Sequence, residues 1–119
     1  MDLRGSVALV TGAQQGIGRA TAVALAREGA DIALNFLDDK AGAEVGAELC
    51  RKEGRRALVV QGDVARRDDA ARMVAECVAG LGRIDILVNN AGVFPRVRFL
   101  DMTDADWDYL IDINLKGGF

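Results

Sequence analysis

The residues whose spacing carries most chemistry run Thr11-Gly12-Ala13-Gln14-Gln15-Gly16-Ile17-Gly18. They follow the apolar run Val7-Ala8-Leu9-Val10 and lead into the Ala-rich stretch from Ile17 to Glu28. The glycines therefore lie on a turn from a strand into a helix. Glycine there lets the chain turn sharply and lets an anion come close to the backbone. The free N–H groups of the helix start and the positive end of its dipole favour a phosphate. This pattern points to a pyrophosphate cradle of the dinucleotide type; the alternative is a glycine-rich turn with no ligand. A P-loop needs Lys and Ser or Thr after its last glycine, whereas Gly18 is followed by Arg19 and Ala20.

Other chemistries are excluded by composition. The chain has no His, which removes Ser-His and Cys-His nucleophile pairs and His-ligated metals, and no metal site is expected. Two cysteines, Cys50 and Cys77, make neither a disulfide framework nor a zinc site, and Cys77 reads as core filler. Fifteen basic against eighteen acidic residues give a net charge of −3 without a basic tract, arguing against nucleic acid. The apolar runs are short, so no membrane span is expected, and Met1-Asp2-Leu3-Arg4 does not start a secretory signal. At 119 residues and 50% apolar content, the chain reads as one reduced, cytoplasmic domain with a modest core.

Four apolar runs must position the loop: Val7–Val10, Ile32–Leu34, Ala57–Val60 and Ile84–Val88. They are continuous rather than alternating, as strands buried on both faces of a parallel sheet should be. Their starts at 7, 32, 57 and 84 leave room for a crossover helix each time. Helices are expected over Ile17–Glu28, Lys40–Glu53 and Arg67–Leu81. In the second, Ala41, Val45 and Leu49 fall four apart, with Glu48 and Lys52 as an exposed pair. In the third, Ala70, Met73, Val74, Cys77, Val78 and Leu81 make a stripe, closed by Gly80 and Gly82. A fourth helix is expected from Thr103, with Trp107, Leu110, Ile111, Asn114 and Leu115 on one face. The open edge of the fourth strand and this helix face predict homo-oligomerisation or release of the segment after Pro95.

The glycine loop, Asp63-Val64 after the third strand, Asn89-Asn90-Ala91-Gly92 after the fourth and Asn114 together closely resemble the short-chain dehydrogenase/reductase family. The resemblance runs the length of the chain. It implies an α/β fold of Rossmann type, a doubly wound parallel sheet of strand order 3-2-1-4, with residues 1–119 forming its N-terminal dinucleotide-binding part. It implies that Gly12, Gln14, Gln15, Gly16, Ile17 and Gly18 hold the pyrophosphate side of NAD or NADP. Asp63 and Val64 would lie at the adenine, and Asn90, Ala91 and Gly92 would brace the sheet and line the ribose. Phe36 and Leu37 end the second strand, where neither family signature for cofactor choice is present. Asp38 and Asp39 follow, and a carboxylate there repels a 2′-phosphate, which leans the reading to NAD; alternatively both are simply solvated.

The implied activity is hydride transfer between the nicotinamide and an alcohol or ketone. The family's proton donor is a Tyr whose pKa is lowered by a Lys one helical turn on, aided by a Ser and an Asn. Here Tyr109 is followed four residues later by Ile113, and Ser6 precedes the first strand. Only Asn114 matches the catalytic set. The expectation is thus the N-terminal portion of such an oxidoreductase, inactive alone; the alternative is a non-catalytic dinucleotide-binding or regulatory fragment.

Overall fold

The computed structural model describes residues 2–90. Strands β1 (Val7–Val10), β2 (Asp31–Phe36), β3 (Ala57–Gln61) and β4 (Ile86–Val88) alternate with helices α1 (Gly16–Arg27), α2 (Lys40–Lys52) and α3 (Arg67–Leu81). All strand pairs are parallel and the order is β3-β2-β1-β4. This is the expected doubly wound, Rossmann-like sheet. The helix expected from Thr103, with Asn114, lies outside the described residues, as do Ala91 and Gly92.

The sheet is covered on both faces, which is why its strands are apolar without alternation. Ala8 and Val10 of β1 and Ile32 and Leu34 of β2 pack with Ala22 and Ala26 of α1 and Ala47 and Cys50 of α2. Val7, Leu9 and Ala33 point the other way, onto Met73, Cys77 and Leu81 of α3. One run of four residues thus feeds two cores.

Helix α2 corrects the sequence reading. Ala41, Val45 and Leu49 do not form its buried face; Val45 is 50% and Leu49 38% exposed. The buried residues are Gly42, Ala43, Gly46, Ala47 and Cys50. Small side chains win because α2 lies tightly on its neighbours. A Cβ at Gly46 would stand 2.8 Å from Leu34 Cδ2 and 3.2 Å from Arg19 Cγ. Glu48 faces Arg51 at 3.5 Å rather than serving as the anchor of the expected pair.

Smaller corrections follow the same logic. In α3, Ala70, Met73, Cys77 and Leu81 are buried, whereas Val78 is largely exposed. Gly80 does not end that helix but lies within it, where its missing side chain makes room for Leu58; Gly82 ends it. Strand β4 starts at Ile86, not Ile84. Asp85 substitutes its carboxylate for a ladder carbonyl, accepting from Val7 N at 2.8 Å while its own N–H donates to Val7 O.

Candidate functional site

The loop between β1 and α1 leaves the C-terminal end of the sheet, where ligands of open α/β folds bind. It is braced from both neighbouring strands. On the β4 side, Thr11 N and Oγ1 donate to Val88 O at 3.0 and 3.2 Å, and Thr11 Oγ1 accepts from Asn90 N at 3.0 Å. The Asn90 amide then donates to Gly12 O at 3.2 Å. On the β2 side, Gly12 N donates to Asn35 Oδ1 at 3.0 Å and Ala13 N to Asn35 O at 2.8 Å.

Asn35 is buried, yet both ends of its amide are used. Its Nδ2 lies 3.2 Å from Val60 O and 3.1 Å from Gly62 O, so it ties β2 to β3 while its oxygen holds the loop. Burying an amide is tolerable only when it is satisfied in this way. Sequence reasoning missed this residue because it lies just past the apolar run Ile32–Leu34. The available signal was a lone polar side chain inside an apolar strand.

Two of the loop glycines have distinct reasons to be glycine. Gly16 has φ +57 with open space around a would-be Cβ, so the backbone there is reachable from outside. A β-branched residue at that φ is strained as well as obstructive. Gly18 is a matter of contact: its Cβ would stand 2.5 Å from Asn90 Nδ2 and 3.0 Å from Ala13 Cα. The helix start thus packs directly on the loop.

Among the described residues, no side chain caps the helix start. Gln15, the residue before α1, makes no side-chain capping bond, and the first turn holds no acidic residue. Its amides and the dipole remain available to an anion. Ile17, in that turn, is 77% exposed, an apolar surface at the rim of the crevice. Gln14 is turned aside, its Oε1 accepting from Leu37 N at 3.1 Å. Arg19 was not singled out from the sequence; its guanidinium donates to Gln14 O at 2.6 Å and Gly42 O at 3.1 Å, pinning the loop to α2.

The other expected residues follow the C-terminal ends of β2 and β3. Asp63 follows β3; its Oδ1 accepts from Ala65 N at 2.9 Å, and Asp69 holds Asp63 N at 2.9 Å. Val64 is half-buried and packs with the α3-side core. Asp39 caps α2, accepting from Gly42 N at 2.9 Å, whereas Asp38 is exposed. Both thiols are remote in chemistry: burial pushes Cys50 and Cys77 up to about 11. Among the described residues no group of three or more His, Cys, Asp or Glu could hold a metal ion, and no helix is long and apolar enough to cross a membrane.

The arrangement suits a pyrophosphate: main-chain N–H groups, a helix start and an open glycine, with no carboxylate from the helix itself to repel it.

Comparisons with known proteins bear on the fold and the family. The 3-oxoacyl-acyl-carrier-protein reductase FabG of Staphylococcus epidermidis is 42% identical over 112 residues, covering 94% of this chain and 46% of the relative. A short chain dehydrogenase from Burkholderia cenocepacia, solved in complex with NADP, is 35% identical with a TM-score of 0.75 over 98% of this chain and 48% of that one. Acetoin dehydrogenase from Enterobacter cloacae is 36% identical with a TM-score of 0.69, over 94% of this chain and 44% of that one. The chain spans about half the length of the curated relatives it matches, 46% in the case of the reductase. The family model for short chain dehydrogenases matches residues 6–119, and the chain belongs to that family.

Proposed function

We propose that residues 1–119 are the N-terminal, dinucleotide-binding part of an NAD(P)-dependent oxidoreductase acting on an alcohol or ketone. The observation that carries this reading is the glycine loop braced from β2 and β4, with the Gly16 backbone open to solvent. Gly12, Gly16 and Gly18 would hold the pyrophosphate through the main chain, with Gln14 and Gln15 shaping the loop and Ile17 offering an apolar contact. Asp63 and Val64 would face the adenine, and Asn90, Ala91 and Gly92 the ribose. When bound, the nicotinamide supplies or accepts the hydride. Asn114 would take part in relaying the proton.

The cofactor is read as NAD. Asp38, exposed at the end of β2, would accept from a ribose hydroxyl and repel a 2′-phosphate. Two free, buried thiols support a reducing compartment such as the cytoplasm, and the outer edge of β4 supports assembly with further copies. In this sequence the one Tyr, Tyr109, lacks a Lys one turn on, so the 119 residues are expected to bind without turnover. Loss of general acid–base help costs about 10²–10⁴-fold in rate.

Calorimetric titration of the chain and its Gly16→Val variant with NAD and NADP tests the proposal. Binding by the wild type, abolished in the variant while circular dichroism is kept, is the expected result. Equal binding by both proteins would show that the loop is not the site. Turnover of an alcohol by the chain, at a rate typical of intact enzymes, would overturn the inactivity.

A further inference from the structure

We infer that Gln61, on the strand beyond the glycine loop's own neighbours, is a positioning residue that aims Asp38 and so sets the preference between NAD and NADP. This rests on the reading of Asp38 given above. Leu37, the first residue past β2, has both main-chain groups held by glutamine side chains. Its N–H donates to Gln14 Oε1 at 3.1 Å, and its carbonyl accepts from Gln61 Nε2 at 3.0 Å.

The orientation of the Gln61 amide is fixed in turn. Arg72 donates to Gln61 Oε1 at 3.3 Å, so the oxygen faces the guanidinium and the NH₂ group faces Leu37. On the other side of Asp38, the Asp39 carboxylate is committed to Gly42 N at 2.9 Å. Asp38 therefore stands between two anchored residues, although its own side chain is exposed. Exposed charges interact weakly unless their separation is held, because solvent screens them and ordering costs entropy. The clamp on Leu37 supplies that ordering in advance. Without it, the turn and its carboxylate could swing away from an incoming 2′-phosphate.

Gln61 is itself exposed, so an isosteric Gln61→Met change leaves the core untouched. The test is calorimetric titration of the 119-residue chain with NAD and with NADP in four proteins: wild type, Gln61→Met, Asp38→Ala and the double variant. In Gln61→Met the preference for NAD should fall about 3- to 10-fold, the worth of one ordinary hydrogen bond, mainly through tighter NADP binding. Adding Gln61→Met to Asp38→Ala should change the preference no further, because Gln61 acts through Asp38. Amide exchange at Leu37 should quicken in Gln61→Met. An unchanged preference, an equal loss for both dinucleotides, or a shift that persists without Asp38 would overturn this inference while leaving the proposed function standing. A wild type that binds neither dinucleotide, or both equally, would overturn the Asp38 reading and this one together.

Discussion

Replacing Asn35 with Ala should damage stability and binding together, because one buried amide serves both. Asn35 is 2% exposed, and its Oδ1 is the acceptor for Gly12 N at 3.0 Å. Its Nδ2 is shared among Val60 O, Gly62 O and Phe36 O at 3.2, 3.1 and 3.3 Å. The substitution leaves Gly12 N without that acceptor, worth about 1–3 kcal/mol, and loses two donated bonds of about 1 kcal/mol each. The total, roughly 3–5 kcal/mol, is a large part of the 5–15 kcal/mol that holds a typical domain together. At about 4–8 °C per kcal/mol for a domain of about this size, Tm should fall by roughly 12–40 °C. Thermal unfolding followed by circular dichroism measures this, with Asn35→Leu alongside to separate lost bonds from lost volume. Titration with NAD below both transitions should show binding weakened more than tenfold, since Gly12 is then held from the β4 side alone. A Tm within about 4 °C of wild type, or full recovery in Asn35→Leu, would refute the assignment of this residue as the brace.

Helix α2 offers a contrast between its two faces. Gly46→Leu should cost more than about 2 kcal/mol in urea unfolding, by driving a side chain into Leu34 and Arg19, whereas Val45→Glu should stay within about 0.5 kcal/mol. The thiols make a pH prediction: burial raises Cys50 and Cys77 from 9.0 to about 11, so the folded chain keeps protons that the unfolded chain releases. That stability is complete below pH 9 and is lost as pH rises toward 11, by roughly 2–3 kcal/mol per thiol at most. Urea midpoints at pH 8 and 11 for wild type and a Cys50→Ala/Cys77→Ala variant would show it, and equal pH dependence of the two proteins would contradict it.

Strands and crossover helices were legible because their signal is continuous apolar runs at a steady interval, and the sheet order follows from connecting them. The loop glycines were legible for the same reason, since spacing and context are both local. The buried face of α2 was not. It depends on how closely α2 approaches Leu34 and Arg19, a tertiary fact that makes Gly46 a better contact than Val45. Asn35 and Gln61 escaped notice because their partners, Gly12 and Leu37, are 23 and 24 residues away and chemically ordinary main-chain groups. Asp85 is a charge within the apolar run Ile84–Val88. In the fold it is a substitute for the ladder, accepting from Val7 N.

The bonds that hold the glycine loop on its β4 side join residues 77 to 79 apart in the chain. During synthesis, β1, α1 and β2 can meet long before Val88 and Asn90 exist to close that side. The cradle is therefore finished late, after a large loop has been closed. A dinucleotide that grips only the finished loop stabilises only chains in which β4 has docked. It would thus act as a selective check on completed folding, holding the assembled sheet while leaving earlier, three-stranded forms exposed to proteolysis.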